Sequence, residues 1–198
     1  MKNTIIAISR QYGSGGRELA HILAKKLHCK LYDRQLVHIA AAQLGIDDLN
    51  ETQLKAFEDR VPPLSLKFMP FYVFGVNGSK PLNNKVYEQE AEVIRRLVKD
   101  GPCVILGRCS DYILKDNPNV CSIFVCANDE YRVRRGREVY EGKTLMELNQ
   151  EDAKRAEYYN YYTGQKWGDP ANYDIVVNTS HKSLEGIANS ILEYMNQD

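Results

Sequence analysis

ISRQYGSGGRE, residues 8–18, is the stretch that decides the fold of this 198-residue chain. It begins inside a short apolar run, residues 5–8, which is typical of a buried parallel strand. A glycine-rich turn follows at residues 13–16, and residues 18–27 then carry leucine and isoleucine at helical spacing. The sequence therefore predicts a strand, a glycine turn and a helix in that order.

A glycine turn in this position is a candidate anion site. Its backbone N–H groups point towards one spot, and the N-terminus of the following helix adds positive potential there. Glycine is needed because side chains would block the close approach of a phosphate. We expect phosphate binding by Gly13, Ser14, Gly15, Gly16, Arg17 and Glu18, and a plain tight turn is the alternative.

The turn departs from the phosphate-binding pattern GxxxxGK[ST]. If Gly15 is the second glycine of that pattern, Gly16 takes the lysine position and Arg17 takes the Ser/Thr position. If Gly16 is that glycine, Arg17 and Glu18 take those positions. Arg17 is the candidate for the missing positive charge, although its guanidinium fork differs from a lysine point charge. Ser14 and Glu18 are candidates for helping to hold a hydrated Mg²⁺.

Strands alternate with helices along the rest of the chain. Apolar runs predict further strands at 30–32, 103–107, 120–127 and 175–178, and helical patterns cover 35–44, 86–99, 130–138, 144–162 and 183–196. This alternation favours an α/β fold with a parallel sheet covered on both faces, and ligands of such folds bind at the carboxyl ends of the strands. Residues 47–85 are less regular and read as a flexible insertion or a partner surface.

Composition excludes several classes of function. The 26 basic and 26 acidic residues balance, so nothing attracts nucleic acid or an anionic membrane to the whole molecule, and any anion site must be local. No apolar run is long enough to span a membrane, and the N-terminus lacks the order of a signal peptide, so we expect a cytoplasmic protein. The five cysteines are scattered and predict neither a zinc site nor a disulfide framework.

Charged residues near predicted strand ends are the other site candidates. Asp33 and Arg34 follow the second strand, where a local ion pair or a helix cap would also explain them. Arg108 follows a glycine at the end of a buried strand. Asp152 and Arg155 share a helix face, where they would bind a ligand or simply pair with each other.

A basic cluster follows the strand at 120–127. Its members are Arg132, Arg134, Arg135 and Arg137. Such a cluster would clamp a transferring phosphate through paired hydrogen bonds, or it would form a solvated helix face. Of the aromatic residues, the tyrosines at 158–162 and Trp167 are expected to pack in the interior.

Several stretches resemble the cytidylate kinase-like family of P-loop kinases. They are ISRQYGSGGREL at 8–19, LYDR at 31–34, LGR at 106–108, NPNVCSIFVCANDEYRVRR at 117–135 and YYNYYTGQKWGDPANYDIVVNTS at 158–180. The resemblance implies a single P-loop NTPase domain over residues 1–198, a three-layer α/β/α fold of the nucleoside-monophosphate-kinase type. It also implies a helical nucleotide-binding insertion at 34–100, a lid at 130–168, and ATP with Mg²⁺ as cofactors.

The same resemblance assigns roles to individual residues. Arg108 matches the arginine of the kinase GRD motif, and Asp152 and Arg155 match the DxxR pair that touches the acceptor nucleotide. Arg132 and Arg135 fall where lid arginines approach the phosphates, so these two and Arg17 are the expected catalytic residues.

The likeness to cytidylate kinases proper is weaker, and the departures from their pattern concern the acceptor. The aspartate that reads the cytosine edge is replaced by Cys109, and the Ser and Arg expected after the second strand correspond to Arg34 and Ile39. The pattern therefore predicts a kinase acting on a small acceptor, with Asp33, Arg34, Arg108, Asp152 and Arg155 binding it, but it does not predict selectivity for cytosine.

Two other classes of function stay open. One is a regulatory module that binds ATP without turnover. The other is a scaffold whose loop binds only inorganic anions. The aromatic stretch at 68–74 suits either the contact of a homodimer or a fold over the acceptor site. No nucleic acid or membrane partner is expected.

Overall fold

The computed structural model describes residues 4–33 and 82–196. The predicted helix at 35–44, the aromatic stretch at 68–74 and Arg34 lie outside the described residues. No helix within the described ranges is long and apolar enough to cross a membrane.

Five parallel strands form one sheet among the described residues. They are β1 (Ile5–Arg10), β2 (Lys30–Tyr32), β3 (Cys103–Leu106), β4 (Val120–Cys126) and β5 (Ile175–Asn178), in the order β2-β3-β1-β4-β5. Their apolar runs are nearly continuous because a parallel sheet is buried on both faces. The central strand β1 pairs with both β3 and β4, so the segment that follows β1 lies at the middle of the sheet edge.

Helices connect the strands. They are α1 (Gly16–Lys26), α2 (Leu82–Leu97), α3 (Ser110–Ile113), α4 (Asp129–Val139), α5 (Leu145–Thr163) and α6 (Leu184–Met195), with a short 3₁₀ turn at Pro170–Asn172. Helix α2 begins four residues before the predicted residue 86, since the polar residues 83–85 carry no apolar stripe that would reveal it. Helix α3 is too short for a periodic pattern to indicate it.

Successive residues of β1 point into separate cores, which confirms the layered α/β architecture. Ile6 and Ile8 pack with Leu19 of α1 and Ile187 of α6. Ile5 instead packs with α2, β3 and the residue that ends α3. Helices therefore cover both faces of the sheet, and the charged ends of the strands are left at its carboxyl edge.

The helix N-termini differ in how they are capped. Side chains of Asn128, Thr144 and Ser183 accept hydrogen bonds from the first turns of α4, α5 and α6. Helix α1 has Gly15 at this position, in a left-handed conformation, and no side-chain cap within the described chain. The Gly16 N–H donates to Ser14 Oγ at 3.3 Å, and the other N–H groups of the first turn of α1 have no side-chain cap.

Candidate functional site

A cleft of about 230 Å³ opens at the carboxyl edge of β1 and β3. We call it the cleft throughout. Its described walls come from the ends of both strands, from α5 and from the segment after α5; they include Ser9, Arg10, Tyr12, Asp33, Leu106, Gly107, Arg108, Cys109, Lys143, Glu151, Lys154, Arg155, Tyr158, Tyr159 and Trp167.

Positive charge dominates the described walls of the cleft. Five of the lining residues are cationic, namely Arg10, Arg108, Lys143, Lys154 and Arg155, against the two carboxylates of Asp33 and Glu151. The chain as a whole has a formal net charge of zero, so this excess is local. A concave site with an excess of one sign concentrates field lines and favours an anionic ligand.

The glycine loop, residues 11–15, lies between β1 and α1. Gly13 and Gly15 both have φ of +79°, a left-handed conformation that only glycine adopts without strain. The fully buried Ser14 donates from Oγ to the Gln11 carbonyl at 2.8 Å, and its own carbonyl accepts from Thr179 Oγ1 at 2.6 Å. These contacts fix the turn from both sides of the sheet edge.

Asp152 and Arg132 hold the Tyr12 peptide unit of the loop. The Tyr12 N–H donates to Asp152 Oδ1 at 2.6 Å, and the Tyr12 carbonyl accepts from Arg132 Nε at 2.8 Å. Arg132 NH2 donates to Asp152 Oδ2 at 2.5 Å, which closes a ring of three interactions. We name these three residues the Tyr12 clamp; in it Arg132 is only 3% exposed, and its NH1 donates to Asn149 Oδ1 at 3.0 Å.

Arg155 reaches the same loop from α5. Its NH1 donates to the Arg10 carbonyl at 3.1 Å, and its guanidinium lies 4.8 Å from the centre of the Tyr12 ring. Unlike Arg132, Arg155 also lines the cleft. The predicted pair Asp152 and Arg155 is therefore brought together beside the loop, with Arg155 nearer to the cleft.

Arg135 and Arg17, the two predicted catalytic cations outside the Tyr12 clamp, are both paired with carboxylates. Arg135 NH2 lies 2.5 Å from Glu18 Oε1, while Glu18 Oε2 and Arg135 Nε are buried without a hydrogen-bond partner among the described residues. Arg17 is 60% exposed and lies 3.4 Å from Asp33 Oδ2. One oxygen of Glu18 is thus buried without a partner at the first turn of α1.

Arg108 stands at the floor of the cleft on a left-handed turn. Gly107, Arg108 and Cys109 have φ values of +82°, +59° and +52°, so three successive residues adopt a conformation that costs L-residues free energy. Arg108 Nε lies 3.5 Å from Oε1 of the fully buried Glu90, whose other oxygen accepts from Tyr158 OH at 3.1 Å. Glu90 on α2 thereby orients the arginine.

Two other ionisable groups beside this turn are buried. Burial raises the pKa of the Cys109 thiol well above its ordinary value, so the thiol stays protonated and neutral. Burial also raises the pKa of Asp111, which accepts a hydrogen bond from Tyr159 OH at 2.6 Å.

The aromatic residues divide between packing and the cleft. Tyr87 stacks on Tyr162 with ring centres 4.2 Å apart, and Tyr158 packs on the same ring, as the packing interpretation expects. Trp167 packs edge-on against Phe124 with ring centres 5.2 Å apart. Its Nε1 donates to Ser9 Oγ at 2.9 Å, and the residue also lines the cleft, which was not expected from the sequence.

Sequence reasoning missed several residues of the site. Arg10, Lys143 and Lys154 line the cleft, and Glu90 holds Arg108. The signal for Arg10 was available, since a charge that ends a buried strand is placed where ligands bind. Glu90 gave no signal, because it is one acidic residue among others on a charged helix.

Metal-binding groups are sparse in the described part of the chain. No group of three His, Cys, Asp or Glu residues is placed to hold an ion among these residues. Ser14 Oγ accepts from the Gly16 N–H at 3.3 Å and donates within the loop, so it is committed to the turn. The buried Oε2 of Glu18 is the group that fits a water on a magnesium ion.

Comparison with known structures places the fold among kinases. An uncharacterised protein from Eubacterium ventriosum superposes with a TM-score of 0.72 at 24% identity, covering 98% of this chain and 99% of that one. Shikimate kinase from Bacteroides thetaiotaomicron gives 0.55 at 15% identity over 97% and 98% of the two chains. APS kinase from Mycobacterium tuberculosis gives 0.52 at 14% identity over 99% of both. These likenesses show an α/β P-loop kinase fold.

Sequence comparison identifies the family. No curated protein matches the chain. The model of the cytidylate kinase-like family matches residues 5–181, which include every described strand, the glycine loop and all the described walls of the cleft. The chain is therefore a member of the cytidylate kinase-like family.

Proposed function

We propose that this protein transfers the terminal phosphoryl group of ATP to a small anionic acceptor, a nucleoside monophosphate. The observation that carries the proposal is that the cationic cleft is lined by Arg10 and Tyr12, which belong to the segment leading from β1 to the N-terminus of α1. One phosphate on the helix terminus and a second in the cleft would lie next to each other, which is the arrangement that phosphoryl transfer requires.

The donor side of the site is formed by the glycine loop and α1. The N–H groups of the loop and the first turn of α1 that are not used within the loop itself, among them those of Arg17 and Glu18, would bind the phosphates of ATP, and Arg17 and Arg135 would neutralise charge on the transferring group. Magnesium would shield the charge of the phosphates, and Glu18 Oε2 would accept a hydrogen bond from one of its waters. Arg17 must leave Asp33 to act, and its high exposure makes this inexpensive.

The acceptor side is formed by the cleft. Arg108 and Arg155 would bind the phosphate of the acceptor, and Asp33 and Arg34 would complete its binding from the end of β2. Asp152 and Arg132 would act differently from the family expectation. Both would serve as positioning residues, since their polar atoms are committed to the Tyr12 clamp.

A regulatory protein that binds ATP without turnover is the second candidate. It is favoured by the absence of lysine and Ser/Thr from the loop positions that normally supply them. In this case the same loop and cleft would bind nucleotide, and the bound state would alter the surface presented to a partner.

ADP release decides between the two candidates. We would incubate the full chain with ATP and Mg²⁺, add a panel of nucleoside monophosphates one at a time, and include a control without acceptor. ATP binding would be measured in parallel by calorimetry. Acceptor-dependent ADP release supports the kinase and names its substrate. ATP binding without ADP release from any member of the panel favours the regulatory protein, and absence of ATP binding contradicts both.

A further inference from the structure

Arg10 crosses the site at the end of β1. A Cβ atom built on Gly16 would lie 2.6 Å from Arg10 Cβ and 3.0 Å from its Cγ. A Cβ built on Gly107 would overlap Arg10 NH1 and lie 3.3 Å from its Cζ. The arginine stem therefore passes over the first residue of α1, and its guanidinium lies over the end of β3.

The two glycines keep this path open. Gly16 is helical and is not among the residues with positive φ, so its backbone does not require glycine and the space above it does. The missing side chain at Gly16 leaves room for the start of the Arg10 side chain, and the missing side chain at Gly107 leaves room for its guanidinium.

The side chain of Arg10 starts beside the residue at which the loop lacks a cation, and its charged end lies at the adjacent end of β3. With Gly15 as the second glycine of the P-loop pattern, Gly16 occupies the lysine position. Arg10 covers that residue, and its side chain lines the cleft together with Arg108 and Arg155. A positive charge supplied by the preceding strand escapes a search for the motif, because the motif places its lysine after the glycines.

We infer that Arg10 is the cation that replaces the P-loop lysine and contacts the transferring phosphate. This inference rests on the proposed function.

In the transfer, an oxygen of the acceptor phosphate forms a bond to the γ-phosphorus, and the bond from that phosphorus to the bridging oxygen breaks. ADP leaves with the electron pair, and Arg10 remains protonated throughout. Its planar fork contacts two oxygens of the group, where a lysine would contribute a single point charge.

Calorimetry with ATP and ADP tests the role of Arg10. We would compare the wild type with Arg10→Gln and Arg10→Lys in the presence of Mg²⁺, and use Arg96→Gln on the exposed surface of α2 as the matched control. Arg10→Gln is expected to weaken ATP binding roughly ten- to a hundredfold, as the loss of a charged hydrogen bond does. ADP binding should change much less, so the preference for ATP over ADP should fall by a similar factor. Arg10→Lys should restore part of this preference.

A purely structural role of Arg10 would give a different result. In that case Arg10→Gln would weaken ATP and ADP equally, and this outcome overturns the inference, as does an unchanged ATP affinity. Arg10→Met keeps an unbranched stem over Gly16 and removes the charge, so it provides the same test if the glutamine variant does not fold. Failure of the wild type to bind ATP overturns the proposed function as well. If the wild type turns over and the Arg10→Gln variant binds ATP and turns over equally well, the inference about Arg10 is overturned and the proposed function stands.

Discussion

Asp111 shows how a single buried carboxyl couples stability to pH. The residue is 6% exposed, and burial raises its pKa although Tyr159 OH donates to it at 2.6 Å. A raised pKa means that the fold favours the protonated carboxyl. The stability that this group contributes is present below its ordinary pKa and is lost as the pH rises through the value in the folded protein.

The Asp111→Asn variant should therefore be more stable than the wild type, by a margin that grows as the pH rises. The amide oxygen can still accept from Tyr159, and the cost of burying a charge is removed. We expect the melting temperature of the variant, relative to wild type, to increase as the pH rises above the ordinary aspartate pKa of about 4, and to level off once the pH exceeds the raised pKa of the buried carboxyl. The exposed Asp116→Asn serves as the control. A difference that shrinks or stays constant across this range would contradict the assignment.

The Tyr12 clamp makes a second prediction for single residues. Arg132→Gln removes one partner of a buried ion pair and leaves Asp152 with a poorly compensated charge, which should cost about 3–5 kcal/mol of unfolding free energy. The combined variant Arg132→Gln/Asp152→Asn should cost less than the two single variants added together. Urea unfolding measures both quantities.

Lys26→Gln provides the control for the clamp. Lys26 Nζ lies 2.9 Å from Glu185 Oε2, but both side chains are substantially exposed, so its loss should cost less than about 1 kcal/mol. If Arg132→Gln costs no more than this surface variant, the clamp does not hold the loop in solution.

At the scale of elements, α5 carries much of the site and begins with a capping box. Thr144 Oγ1 accepts from the Glu147 N–H at 3.4 Å, and Glu147 Oε2 accepts from the Thr144 N–H at 2.8 Å. Thr144→Ala should destabilise the protein by about 1 kcal/mol and lower the melting temperature by about 2–4 °C. Gln150→Ala, at an exposed position of the same helix, should change stability by less than about 0.5 kcal/mol. Equal effects of the two variants would show that the Thr144 cap does not stabilise the protein.

Most of the described helices and strands could be predicted from the sequence. Each described strand lies within two residues of its predicted range, because runs of apolar residues bounded by glycine or polar residues are local signals. The family resemblance and the layered fold followed from the same stretches. Helix α3 escaped prediction because four residues carry no period.

The geometry of the site could be predicted less well from the sequence. The sequence predicted that Arg132 and Arg155 both belong to the site. It could not show that Arg132 is buried against a loop carbonyl whereas Arg155 lines the cleft. That distinction depends on which acceptors lie within about 3 Å after folding, and those acceptors are 120 and 145 residues away along the chain. The path of Arg10 depends on Gly16 and on the distant Gly107 for the same reason.

At the scale of the whole molecule, one balanced chain concentrates its positive charge at one edge of its sheet. The formal net charge is zero, yet the described walls of the cleft carry five cations and two carboxylates. This local excess of positive charge attracts anionic ligands that enter the cleft.

Trp167, the only tryptophan of the chain, reports whether the acceptor enters this cleft. Its ring packs on Phe124 and its Nε1 donates to Ser9 Oγ, so a ligand in the cleft would exclude water from an indole whose position is already fixed. Any monophosphate that supports ADP release should shift the emission of Trp167 to shorter wavelength, and the corresponding nucleoside without phosphate should not. Trp167→Phe should abolish the signal and leave ATP binding measurable by calorimetry. A monophosphate that is phosphorylated without any change in emission would mean that the acceptor binds elsewhere, and the cationic walls of the cleft would then need another ligand.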